Sequence, residues 1–219
     1  MKLSKETINI FKNYSSINSN LLLKEGNKIA TKSEPPTIAS EVVVSENFPS
    51  EFGIYDLNEF LGALSLFNDP ELTFYDKYVT IEENGNLIRF YAADASILST
   101  PKNSITFPSV DVEFTLSGGV LANIHRTSSI LKAGDLSFIG KDGNLILQVC
   151  DKKVATGNTY ENVIGNTDQN FRVNVKIDNL KLMPGDYKVS ISSKKISRFE
   201  STNSQLVYYV AVESDSTFD

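Results

Sequence analysis

The sequence predicts an α+β fold of two similar domains, each an antiparallel sheet backed by two helices. Three observations lead there. Most apolar residues fall in short stretches alternating with period two, and Gly, Asn, Asp or Pro turns separate them. Only four segments carry helical spacing. The order helix, strands, helix, strands occurs twice along 219 residues, without obvious identity between the halves. The division places a first domain at 1–108, including a linker at about 97–108 that contains Pro101 and Pro108, and a second at 109–219.

Taken in order, a first helix is expected from Ser4 to Ser16, with Ile8, Phe11, the Tyr14/Ser15 turn and Ile17 as its apolar stripe. Strands follow at Leu21 to Leu23, Lys28 to Thr31 and Ser40 to Val44, with a turn at Lys24-Glu25-Gly26-Asn27. The stretch YDLNEFLGALSLFND, Tyr55 to Asp69, is a second helix. Asp56 caps it, Glu59 sits in the capping-box position, and Leu57, Phe60, Leu61, Leu64 and Phe67 form one face. Its other face holds only Asn58, Glu59, Gly62 and Ser65, none suited to chemistry. Strands at Glu71 to Phe74, Tyr78 to Ile81 and Leu87 to Ala92 complete the half, the last two joined by a turn with an Asn84-Gly85 core.

The second half opens with the alternating Val110 to Phe114. Ser117 then caps a helix to about Leu131, with Leu121, Ile124, Ser128 and Leu131 inward and Arg126, Ser129 and Lys132 on another face. Strands are expected at Leu136 to Ile139, Leu145 to Val149, Phe171 to Ile177, Tyr187 to Ile191 and Leu206 to Val212. A short fourth helix, Asp178 to Met183, is expected to stop at Pro184-Gly185.

Composition narrows the function classes. Hydrophobic residues make up 41% of the chain, an ordinary globular value, and the formal charge is −6. Tight groove binding of nucleic acid needs a basic excess to neutralise phosphates, so this balance argues against it. One cysteine, Cys150, precludes an intrachain disulfide framework. The N-terminus has no apolar signal core, and no apolar run reaches membrane-spanning length.

Catalytic patterns are lacking. The single histidine, His125, sits in a helix beside Arg126 with no proposable nucleophile or acid. Cys150 at a strand end reads as a small buried hydrophobe. Gly134 to Asp142 resembles a phosphate loop, but five residues separate its glycines, Asp142 stands where Ser or Thr would meet magnesium, and strands flank it. Glu82 and Glu83 read as solvated charge at a hairpin tip. The expectation is a protein that is not an enzyme and takes no cofactor or metal. The basic residues speak by location: Lys5 and Lys12, seven apart, share a face of the first helix, Arg126 and Lys132 one of the third, and Lys181 lies on the fourth. They read either as ordinary solvated lysines and arginines or as one weakly basic surface on an acidic protein.

MKLSKETINIFKNYSSINSNLLLKEG at the start and IYDLNEFLGALSLFND, from Ile54, resemble the sliding clamps of T4-type bacteriophages, the DNA polymerase processivity factors. LMPGDYKV, from Leu182, and YYVAVESDST, from Tyr208, resemble parts of the second domain of those clamps; from Glu71 to Arg172 only the order of elements matches. The resemblance implies a homotrimer closed head to tail into a ring, its helices around duplex DNA, tethering the polymerase. It implies an ATP-dependent clamp loader as partner, a role with transcription factors in phage late transcription, and action in the cytoplasm of the infected bacterial host. Lys5, Lys12, Arg126, Lys132 and Lys181 would then face DNA, and Ile105, Phe107 and Tyr208 would lie in a pocket for partner peptides. The alternative from another class is a β-rich oligomeric structural protein of the phage.

Overall fold

In the computed structural model, which describes residues 1–218, Ser4 starts the first helix. Its hydroxyl accepts a hydrogen bond from the Thr7 amide, and α1 (Lys5–Ile17) follows. The buried stripe is Thr7, Ile10, Phe11, Tyr14 and Ile17; Ile8 is only half-buried. A strict three-residue step drifts round the helix, whereas mixed steps of three and four stay on one face. The helix ends at Asn18, whose amide bonds to the Tyr14 carbonyl.

The chain divides into two units, Met1–Ser104 and Ile105–Asp219. In the first, α1 is followed by β1 (Leu21–Leu23), β2 (Gly26–Lys32), β3 (Ile38–Phe48), β4 (Phe52–Ile54), α2 (Leu57–Leu64), β5 (Glu71–Phe74), β6 (Tyr78–Glu83) and β7 (Asn86–Tyr91). β1 pairs with β4, β2 with β3, and β5, β6 and β7 form a three-stranded antiparallel sheet. Phe60 of α2 lies 6.3 Å from Phe11 of α1 and 5.1 Å from Phe90 of β7, so an aromatic chain runs from helix to helix to sheet.

The second helix is shorter than its sequence suggests. Ser65 caps α2 at its C-terminal end, and the amides of Asn68 and Asp69 donate instead to the Glu83 carboxylate, at 2.8 and 3.1 Å. Glu83 is therefore a structural acceptor as well as a hairpin-tip charge. In the expected linker, a single 3-10 turn spans Ala95–Ile97, and no further regular element precedes residue 112.

The second unit contains β8 (Val112–Leu116), α3 (Gly118–Leu131), β9 (Asp135–Lys141), β10 (Asn144–Cys150), β11 (Tyr160–Asn166), β12 (Phe171–Lys176), β13 (Tyr187–Ser192), β14 (Ile196–Ser201), β15 (Leu206–Ala211) and β16 (Thr217–Phe218). One antiparallel set runs β8-β13-β14-β15 and the other β11-β10-β9-β12-β16. The fourth helix is not α-helical: one 3-10 turn, Ile177–Asn179, occupies its start. Met183 precedes Pro184 and is steered toward extended backbone, and Leu180 and Leu182 are both buried although residues two apart fall on nearly opposite sides of a helix. The α+β architecture stands, with two α-helices in the first unit and one α-helix plus that turn in the second.

Candidate nucleic-acid interface

α1 turns Lys5, Asn9, Lys12 and Ser16 outward, all exposed and spaced at four, seven and eleven residues along one stripe. Lys5 and Lys12 stand about 10 Å apart along the axis at 1.5 Å per residue. Glu6 is exposed on the adjoining turn and tempers that charge. α2, packed beside α1 through the Phe11–Phe60 contact, presents Asn58, Glu59, Gly62 and Ser65, all exposed. Asp56 starts that helix by accepting from the amides of Asn58 and Glu59 at 2.9 and 3.3 Å. The paired helices thus offer two ammonium groups in a field of short polar side chains, with nothing shaped to read a base edge.

A buried acid sets the entry of α1. Glu46 of β3, 8% exposed, accepts from the Thr7 hydroxyl at 2.5 Å, from the Ser45 hydroxyl at 3.1 Å and from the Ser4 amide. Burial pushes its carboxyl up, but the donors from Thr7 and Ser4 outweigh that and hold it below the usual glutamate range. A carboxylate against a helix N-terminus also complements the helix dipole. Tyr14, fully buried, bonds Ser40 at 2.9 Å and ties the far half of α1 to the same strand.

In the second unit, Ser117 starts α3 by accepting from the Val120 amide, and Asp186 accepts from the Gly118 amide at 2.7 Å. α3 buries Leu121 and Ile124; Ser128 and Leu131, expected inward, are only half-buried. His125, Arg126 and Ser129 are exposed. Lys132 is exposed too but is not helical: it caps α3 with φ 52° and ψ 40°, so its side chain leaves the Arg126 stripe. Lys181 is exposed on the irregular segment before β13 rather than on a helix. Of the five predicted basic residues, the structure places Lys5 and Lys12 together on one helix face and Arg126 on another helix, with Lys132 and Lys181 outside helices.

Of the three residues expected to line a peptide pocket, Phe107 and Tyr208 are placed on opposite faces of the β14–β15 pair. Ile105 and Phe107 are half-buried, and the Phe107 ring lies 4.8 Å from the Arg198 guanidinium, a cation–π contact. Tyr208 is fully buried, and its hydroxyl accepts from the Met183 amide at 3.3 Å. Strand register explains the separation: Arg198 stands opposite Tyr209, whereas Tyr208 stands opposite Phe199 on the other face. Residues sharing the Phe107 face are thus Arg198 and Tyr209. Sequence reading missed Arg198 because its partner aromatic lies about ninety positions away. Cys150 is buried, and burial pushes its thiol up, away from nucleophilic character.

The family models agree with this arrangement. Residues 4–97 match the DNA polymerase processivity factor model, and residues 113–214 match that of the gp45 sliding clamp, C terminal. The chain is 34% identical over 229 residues to the sliding clamp of Escherichia phage RB69, covering all of both. It is 31% identical over 222 residues to that of Vibrio phage KVP40, covering 98% of this chain and all of the relative. Among solved structures, the Proliferating Cellular Nuclear Antigen of Entamoeba histolytica superposes with a TM-score of 0.67 at 15% identity, covering 94% of each chain. No helix of the described residues is long and apolar enough to cross a membrane. Two helices with mild outer faces on antiparallel sheets, family models over both halves and full-length relatives lead to one conclusion: the chain belongs to the sliding clamps, the processivity factors of DNA polymerase.

Proposed function

We propose that this clamp works as a homotrimeric ring around duplex DNA, without enzymatic activity of its own, opened by an ATP-dependent loader in the cytoplasm of the infected host. The observation that carries the reading is the outer face of the α1–α2 pair, which sets Lys5 and Lys12 among Asn9, Ser16, Asn58, Gly62 and Ser65, with the Glu6 and Glu59 carboxylates exposed beside them. Two ammonium groups tempered by two carboxylates give loose, exchangeable phosphate contacts, and short polar neighbours give no base contact. Such a face retains position across a duplex without gripping a sequence. Topological enclosure replaces the tight phosphate binding that a charge of −6 disfavours. Arg126, Lys132 and Lys181 are proposed to add phosphate contacts from the second unit. The face carrying Phe107, Arg198 and Tyr209 is proposed as the seat of partner peptides.

The test is polymerase extension on a long primed template with the loader present, across a salt series. Lys5→Ala with Lys12→Ala is expected to shorten products and to flatten the logarithmic salt dependence of DNA retention by a slope of about 2, one per phosphate contact. Fold and solution mass should stay unchanged. Products and salt slope identical to the wild type would remove these lysines from the DNA-facing set.

A further inference from the structure

We infer that Phe107 is a removable plug: in the free clamp its ring covers the Arg198 guanidinium, and it leaves that place when a partner peptide binds there. The inference rests on the reading of the Phe107, Arg198 and Tyr209 face as the peptide seat, and it adds how that seat is kept closed.

The cover is lightly fastened. Residues 105–108 make no backbone–backbone hydrogen bond among the described residues. Side chains alternate along them, with Ile105 and Phe107 half-buried and Thr106 and Pro108 exposed. Pro108 has no N–H to offer a strand and steers Phe107 toward extended backbone, so the segment lies flat without being paired. Ties occur on either side of it. Upstream, the Lys28 ammonium donates to the Ser104 hydroxyl at 3.2 Å, on the surface. Downstream, the Asp111 amide donates to the Ile191 carbonyl at 2.9 Å, and the Asp111 carboxylate accepts from the Ser193 amide at 2.7 Å. Between Ser104 and Ser109 the described hold is the Phe107 ring on Arg198, 4.8 Å from ring centroid to guanidinium carbon.

Beneath the ring the seat is unfinished. Arg198 of β14 stands between Ser190 of β13 and Tyr209 of β15, and cross-strand partners share a face. Its two polar contacts, to the Ser190 hydroxyl at 3.4 Å and the Glu200 carboxylate at 3.0 Å, use the same terminal nitrogen. The Nε–H is buried and has no acceptor among the described residues. An unmet buried donor carries a desolvation penalty, larger on a charged group than on a neutral one. An aromatic ring can lie over a guanidinium, but it gives this N–H no lone pair. Phe107 therefore fills the space and leaves the donor unmet.

A partner segment that brings an apolar side chain and a backbone carbonyl oxygen would supply both. It gains a charge-assisted hydrogen bond that the plug cannot make, and that difference drives the exchange. Opening breaks no backbone hydrogen bond of residues 105–108; Phe107 needs another staggered rotamer and a small shift of its unpaired segment. While the plug is down, the apparent affinity of the seat is reduced by the fraction of time it stands open. A partly exposed cation–π contact holds it shut by a factor of about three to ten.

The test measures binding of the purified cognate DNA polymerase to immobilised clamp by biolayer interferometry, without DNA or loader. Phe107→Ala is expected to tighten binding about threefold to tenfold, which loss of a merely structural contact would not do. Arg198→Lys in the Phe107→Ala background keeps the positive charge but removes the Nε–H. It is expected to weaken binding about tenfold relative to Phe107→Ala alone, with solution mass and melting temperature unchanged. Should Phe107→Ala weaken binding or leave it unchanged while Arg198→Lys still weakens it, Phe107 is part of the seat and the plug is overturned. Tightening by Phe107→Ala with no loss from Arg198→Lys would overturn the exchange at the Nε–H. Binding indifferent to both substitutions would remove the seat reading, and the plug with it.

Discussion

α1 in the first unit and α3 in the second begin in the same way, yet lean on their surroundings differently. Each has a serine cap, Ser4 or Ser117, and each has a carboxylate from a distant strand region at its first amides, Glu46 or Asp186. Glu46 is 8% exposed and collects three donors, whereas Asp186 is exposed. α1 buries five side chains and shares the Phe11–Phe60–Phe90 chain with α2; α3 buries two, Leu121 and Ile124. The repeated plan therefore lies in how helices are started. Their hold on the sheet is built separately in each half, which is why the halves share an order of elements but little sequence.

The largest effect is expected where the aromatic chain is cut. Phe60→Ala leaves a void against both Phe11 and Phe90 and should cost about 3–5 kcal/mol, while Ile124→Ala should cost about 2–4 kcal/mol, both from urea unfolding. An Ile124→Ala loss exceeding that of Phe60→Ala would break the comparison. Next comes Glu46→Gln, which keeps the shape but weakens three hydrogen bonds and should cost about 1–3 kcal/mol at neutral pH. Because the folded Glu46 carboxyl titrates below its ordinary value of 4.5, its stabilisation is complete above that pH and fades as pH falls through the folded value. The variant should accordingly flatten the acid limb of the stability curve, a thermal melt series giving the slope. Smallest is Asp186→Asn: an exposed acid at a helix N-terminus should change stability by no more than about 1 kcal/mol, with calorimetry as the readout.

Alternation and turn chemistry made much of the fold legible. β1 and β5 have the expected limits, and β2, β3, β6, β7, β9, β10, β12, β13 and β15 lie where periodicity puts them. Four strands escaped notice for separate reasons, and one of them, β16, is only two residues long. β4 is three consecutive buried residues and so has no alternation to see. β11 carries Gly165 and a register shift, and its apolar residues do not share one face: Val163 is exposed while Tyr160 and Ile164 are half-buried. β14 places a polar Ser197 inward, where its hydroxyl bonds the Val210 carbonyl at 2.9 Å. Of the candidate site, Lys5, Lys12 and Arg126 could be placed on outer helix faces from spacing alone. Lys132 and Lys181 could not, since a left-handed cap and a proline-limited segment took them off the helices. Tyr208 and Phe107 share an apolar character in sequence, and only strand register reveals that they belong to opposite faces.

The two-residue turn at Asn84-Gly85 also fixes how the gene can change length. In a hairpin, one inserted residue exchanges every inward and outward position of the strand that follows, whereas two restore them. Here an odd insertion would send Phe90 out to solvent and bring Arg89 and Tyr91 in against α2. Evolution can lengthen this protein freely in stretches such as 151–159, which contain no strand, but at the tip between β6 and β7 it can count only in twos.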